Sequence, residues 1–120
     1  MKNPTGFNQV IDILSQLETK ITALIALNDN IADGTDVSWI WDVDFELLTQ
    51  FCQKIIITGD RVDDLAIRLK YTEYNLNQLI IRKSKQKSID TLINQSDKNI
   101  YVLPTYTALW QLRDYLLKIK

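Results

Sequence analysis

The stretch Ile21-Thr22-Ala23-Leu24-Ile25-Ala26-Leu27, closed by Asn28-Asp29-Asn30, decides the fold. A short apolar run stopped by turn formers reads as a buried strand. Whatever follows residue 27 then hangs from the carboxyl end of that strand, the edge of an open α/β sheet where ligands and chemistry gather.

The flanking sequence supplies the other elements. Upstream, Asn3-Pro4 starts a helix, with Asn able to cap and Pro preset for the first turn. Phe7, Val10, Ile11, Leu14 and Leu17 follow at helical spacing, giving an amphipathic helix over residues 5–18. Downstream, Trp41, Phe45, Leu48 and Cys52 lie three or four residues apart and predict a helix over about residues 44–53. Asp42 or Asp44 stands near its start, where an acid favours the helix dipole. Cys52 then falls on an apolar helix face, where a buried inert thiol is the natural reading.

Lys54-Ile55-Ile56-Ile57-Thr58 is rich in β-branched residues and runs into Gly59-Asp60, so it reads as a second strand ending in a turn. Asp60 is placed to cap a helix that carries Val62, Leu65, Ala66 and Leu69 on one face and runs to about Tyr71. Residues 77–81 give a third strand, and Ser88, Ile89, Leu92 and Ile93 mark another helix. Residues 99–103 give a fourth strand, and Pro104-Thr105 open a last helix with Leu109, Leu112, Leu116 and Ile119 inward. The alternation predicts an α/β domain of Rossmann-like, three-layer form. Its sheet is mostly parallel, with helices on both faces and right-handed crossovers.

The segment after the first strand is unusual in charge. Residues 29–46 hold six of the fifteen acids, two of the three tryptophans and no Lys or Arg. Without it a chain of net charge -1 becomes a body of about +5. At 120 residues and 46% hydrophobic content, the whole chain fits one globular domain with a core of useful size. No apolar run is long enough to span a bilayer, and Met1-Lys2-Asn3-Pro4 leads into a polar segment unlike a signal peptide. A soluble, cytoplasmic protein is expected. One Cys excludes an internal disulfide. The lack of any His excludes a self-contained Ser-His-Asp triad, a Cys-His dyad and an ordinary zinc site. Acid-base chemistry here uses carboxylates or borrows a base from another chain.

The glycines and cations narrow the ligands. Gly6, Gly34 and Gly59 are the only glycines, so neither G-x-G-x-x-G nor G-x-x-x-x-G-K-[ST] is present. Gly59 suits a tight turn better than a phosphate site. Setting Gly34 as the glycine of an EF-hand puts Asp29 and Asp33 at ligand positions but Ile31 and Ile40 where ligands are required. An EF-hand is excluded, while weak Mg²⁺ binding is left open. Arg82-Lys83-Ser84-Lys85-Gln86-Lys87 concentrates four cations ahead of a helix whose dipole they oppose, as in a solvated loop. A pI near 5.3 and tryptophans set among acids argue against nucleic acid.

Four stretches in order carry a resemblance to a known family: N-P-T-G-F-N-Q, then L-N-D-N-I-A-D-G-T-D-V-S-W-I-W-D-V-D-F-E, then I-I-I-T-G-D-R-V-D-D-L-A-I-R-L-K-Y, then V-L-P-T-Y-T-A-L. Together they resemble the C-terminal domain of MurT, the Mur-ligase-like subunit of the lipid II isoglutaminyl synthase of Gram-positive bacteria. The likeness covers essentially the whole chain, residues 1–120, as a single Mur-ligase-type C-terminal domain. The family's ATP-binding central domain, with its phosphate loop, has no counterpart here, so the chain resembles a fragment of a longer subunit.

The resemblance implies an amide ligase of peptidoglycan synthesis. In that family MurT uses ATP and Mg²⁺ to activate the D-glutamate carboxylate of lipid II, and the glutaminase subunit GatD supplies ammonia. GatD takes the acid of its triad from MurT, and the motif carries that role onto Asp36. Asp33, Trp39 and Trp41 are then partner-binding candidates, with Asp29 and Asp33 shaping the loop. By spacing alone, Asp33-Gly34-Thr35-Asp36 is also an ordinary turn, and the tryptophans are core anchors or an interface patch. No cofactor or metal is expected on this domain alone, and no activity. Two other classes stand beside this one: a free-standing α/β interaction module without catalytic role, and a carboxylate-only or metal-dependent enzyme.

Overall fold

A computed structural model describes residues 4–17, 20–28, 37–94 and 100–104. In chain order these form α1 (Pro4–Ser15), β1 (Ile21–Ala26), a 3₁₀ helix (Ser38–Asp42), α2 (Phe45–Phe51) and β2 (Cys52–Thr58). They continue with α3 (Val62–Lys70), a short 3₁₀ turn (Leu76–Gln78), β3 (Leu79–Ile81), α4 (Lys85–Ile93) and β4 (Ile100–Pro104).

The four strands form one sheet in the order β3-β2-β1-β4, and every pairing is parallel. β1 is central, its Leu24 opposite Ile56 of β2 and Val102 of β4. All six of its residues are buried, which is why its sequence is apolar without alternation. Side chains still alternate between faces. Ile21, Ala23 and Ile25 join Ile55 and Ile57 in a core with Phe7, Ile11, Phe45, Leu48, Leu65 and Leu69 of α1, α2 and α3. Leu24, Ala26 and Ile56 meet Ile89 and Leu92 of α4 on the opposite face.

The topology explains that division. The chain steps from β1 to β2 to β3 in one direction, so right-handed crossovers put α2 and α3 on one face. It then returns past β1 to β4, which reverses the direction and sends α4 to the other face. The expected α/β fold with helices on both faces is what forms. Its strand order turns back between β1 and β4, so the carboxyl end of β1 lies where such sheets have their crevice.

Several boundaries differ from expectation, each for a local reason. α2 ends at Phe51, and β2 begins at Cys52, which opens the strand instead of riding on the helix. β3 is confined to Leu79–Ile81, because Asn75 Oδ1 accepts from the Asn77 backbone N–H and starts a 3₁₀ turn where strand was expected. The N-cap position of α3 falls on Arg61, one residue after Asp60, and Arg61 makes no side-chain cap bond. α4 starts at Lys85, capped by Ser84, whose Oγ accepts from the Lys87 N–H at 3.3 Å. Part of the basic run is therefore the first turn of a helix and not a loop before one. Pro104 ends β4 instead of opening a helix, and the expected last helix lies outside the described residues.

Candidate functional site

Residues 29–36, and with them Asp29, Asp33 and Asp36, lie outside the described residues, but both chain segments that carry them are described in detail. At the leading side, β1 is tied to the turn after β2. The Leu27 N–H donates to the Thr58 carbonyl and the Arg61 N–H to the Leu27 carbonyl, each at 3.0 Å. Buried Asn28 accepts the Asp60 N–H on its Oδ1, also at 3.0 Å. This approach needs Gly59. Its φ is +112°, and a Cβ there would lie 2.2 Å from the Leu27 oxygen. The backbone of Leu27 fills the place that a side chain at residue 59 would need.

At the trailing side, residues 37–46 are held from two directions. Asn8 of α1 donates Nδ2 to the Asp42 carbonyl at 3.2 Å and accepts the Asp44 N–H on Oδ1 at 2.6 Å. Of the two acids expected near the start of α2, Asp44 is the one that caps it, by accepting the Leu47 N–H at 3.2 Å.

From the other direction comes Arg68 of α3, which is only 4% exposed. It donates Nε to the Ile40 carbonyl at 3.1 Å and Nη2 to the Val43 carbonyl at 2.8 Å. Nη1 and Nη2 also grip both oxygens of Glu46, at 2.9 and 2.7 Å. The planar guanidinium thus satisfies two backbone carbonyls and a carboxylate at once, which Lys could not do. Its hydrogen bond holds the Glu46 carboxyl below the usual carboxylate range, against the opposing effect of burial.

The two candidate tryptophans sit in different surroundings. Trp39 packs on Phe7, ring centroids 5.3 Å apart, at the margin of the main core. Its buried indole N–H has no acceptor among the described residues. Trp41 is 48% exposed, meets Tyr71 edge-on at 5.3 Å and takes the Arg68 guanidinium 5.3 Å from its ring centroid. Tyr71 is 70% and Ile67 51% exposed, one helical turn apart on the adjoining α3 surface. Trp41, Tyr71 and Ile67 make an apolar surface beside the acidic segment.

Arg68 and Asn8 are the residues that reading the sequence missed. Arg68 follows Leu65 by three positions on the inward stripe of α3, and a cation on an apolar stripe is a signal of a buried pair. Asn8 gave no signal beyond its place in the N-P-T-G-F-N-Q motif. Cys52 offers no nucleophile: it is buried, and desolvation pushes its thiol up to about 12, with Lys20 opposing weakly. Among the described residues, no three His, Cys, Asp or Glu groups gather as metal ligands, and no helix is long and apolar enough to cross a membrane.

The sequence profile of the family described as "MurT ligase C-terminal" matches residues 1–109. The lipid II isoglutaminyl synthase (glutamine-hydrolyzing) subunit MurT of Streptococcus pneumoniae (strain ATCC BAA-255 / R6) is 36% identical over 117 residues, 97% of this chain and 26% of that protein. The subunit of the same description from Staphylococcus aureus (strain COL) is 38% identical over 109 residues, 90% of this chain and 24% of that protein. The chain spans about a quarter of the length of these curated relatives.

Proposed function

This chain belongs to the MurT ligase C-terminal family, and from that premise we propose that it is the C-terminal domain of a longer ATP-dependent subunit. That subunit works with a GatD-like glutaminase, in the cytoplasm, to amidate the D-glutamate of lipid II. The similarity over nearly the whole chain carries the proposal. The mounting of the acidic segment supports it: its leading end is tied at the carboxyl end of β1 through Asn28, and its trailing end is held against α1 and α3 by Asn8 and Arg68.

In this reading the domain's own chemistry is a single contribution. Asp36 presents its carboxylate to the glutaminase histidine, fixes the imidazole tautomer and favours its protonated form. A chain without His cannot use such an acid alone. Trp41, with Tyr71 and Ile67, provides apolar area for the partner to cover, and aromatic anchors of this kind concentrate binding energy. Asp33 and Trp39 are the further partner-binding candidates, Trp39 standing against Phe7 at the margin of the core.

ATP and Mg²⁺ are expected of the longer subunit, and this chain has no glycine-rich phosphate loop to hold a nucleotide. We place both with the Mur-ligase central domain of the longer subunit. The test is reconstitution: the subunit containing this domain, mixed with the glutaminase, should hydrolyse glutamine and amidate lipid II. A complex lacking this domain that does both equally well would refute the reading.

A further inference from the structure

The function proposed above leaves the basic run unused. Arg82, Lys83, Lys85 and Lys87 stand between the end of β3 and the first turn of α4, and residues 79–89 contain no acid. Arg82, Lys83 and Lys87 are exposed, and among the described residues none of them pairs with a carboxylate. Arg82 is nevertheless ordered: Nε donates to Thr91 Oγ1 at 3.2 Å and Nη1 to the Ile81 carbonyl at 3.0 Å. Ile81, at the strand end beside it, is 44% exposed.

Lysines in the first turn oppose the helix dipole and weaken the helix that carries them. Such a conflict between charge and local structure points to a role outside folding. Residues 29–46 make the contrast, with six of the fifteen acids and no Lys or Arg. α4 also covers the sheet face opposite the one that holds Phe45 and Leu65, so this patch and the Trp41–Tyr71 surface can be occupied together.

We infer that the basic run, through the exposed Arg82, Lys83 and Lys87, forms a docking patch for an anionic membrane surface. The inference rests on the reading of the chain as part of a subunit acting on a lipid-linked substrate, whose reacting group is presented at a bilayer. A run of four cations in six residues, three of them exposed among the described residues, beside the exposed Ile81 suits phosphate headgroups, each cation near the surface adding to the attraction. It brings the complex to the plane where its substrate lies and leaves the acidic segment to the glutaminase.

The test is sedimentation of the full chain with vesicles of phosphatidylcholine alone or mixed with phosphatidylglycerol, at low and high salt. Binding should require phosphatidylglycerol and weaken with salt. K83Q/K87Q should lower it roughly 30-fold, while circular dichroism stays unchanged. Equal binding to both vesicle types, or no loss in K83Q/K87Q, would overturn the inference. So would tighter binding to an RNA duplex than to the anionic vesicles, which would assign the patch to nucleic acid. Glutamine hydrolysis by the assembled complex in vesicle-free solution reports separately on the proposed function. If Asp36→Asn abolishes it there while the wild-type chain ignores vesicles, the membrane patch falls and the functional reading stands.

Discussion

Arg68 of α3 holds Glu46 of α2 through two hydrogen bonds, at 2.9 and 2.7 Å, while donating to the carbonyls of Ile40 and Val43. One buried side chain thus joins three elements and fixes the trailing end of the acidic segment. Arg68→Ala leaves two carbonyls without their donor and removes packing against Phe45 and Trp41. Glu46 is 54% exposed and can rehydrate, so the cost falls below that of a fully buried pair, at about 2–3 kcal/mol. Urea unfolding should show it, and a loss under about 0.5 kcal/mol would contradict the clamp.

The same pair sets an acid dependence. Because Arg68 lowers the folded Glu46 carboxyl, its contribution is present above the unfolded carboxyl value and is lost as pH falls through the lower, folded one. Glu46→Gln should therefore destabilise the chain near neutrality and flatten the fall of stability on the acid side. Parallel pH titrations of the unfolding midpoint would read this, and parallel curves for the two proteins would contradict it.

Gly59→Ala tests the leading anchor. At φ +112° with the Leu27 oxygen 2.2 Å from the new Cβ, the turn must shift and the Leu27 and Asn28 contacts with it. A cost of about 3 kcal/mol is expected from the combined strain and lost hydrogen bonds. An unchanged melting temperature would mean that β1 and β2 can separate at that edge without penalty.

Trp39 and Trp41 should separate under mutation. Trp39→Ala opens space beside Phe7 and should cost about 2 kcal/mol of stability. Trp41→Ala, half exposed, should cost under about 1 kcal/mol yet weaken glutaminase binding tenfold or more, as loss of an interface aromatic does. Calorimetric titration of the partner checks this, and unaltered affinity in Trp41→Ala would remove that residue from the interface.

Much of the architecture was legible because the two periods in the chain are clean. Ile21–Ala26 and Ile55–Ile57 are too apolar for anything but covered strands, and the helices show their inward stripes. What the sequence hid was set by polar side chains acting at a distance. Asn75 turned the start of β3 into a 3₁₀ turn, and Ser84 drew the start of α4 back into the basic run. Arg68 and Asn8 act across 22 and 36 residues of chain, beyond any local pattern. The partner role given to Asp36 came from the motif alone, since an Asp near Asp-Gly is equally at home in a turn.

Asp36→Asn in the assembled complex is therefore the decisive measurement, because the account gives that carboxylate a role in glutaminase chemistry and none in the core. Stability should stay within about 1 kcal/mol of wild type, as for a surface change. Glutamine hydrolysis should fall by roughly two orders of magnitude or more, the effect of losing the orienting acid of a triad. Near-normal hydrolysis in Asp36→Asn, with loss in Asp33→Asn or Asp29→Asn, would give the role to that neighbour and contradict the account.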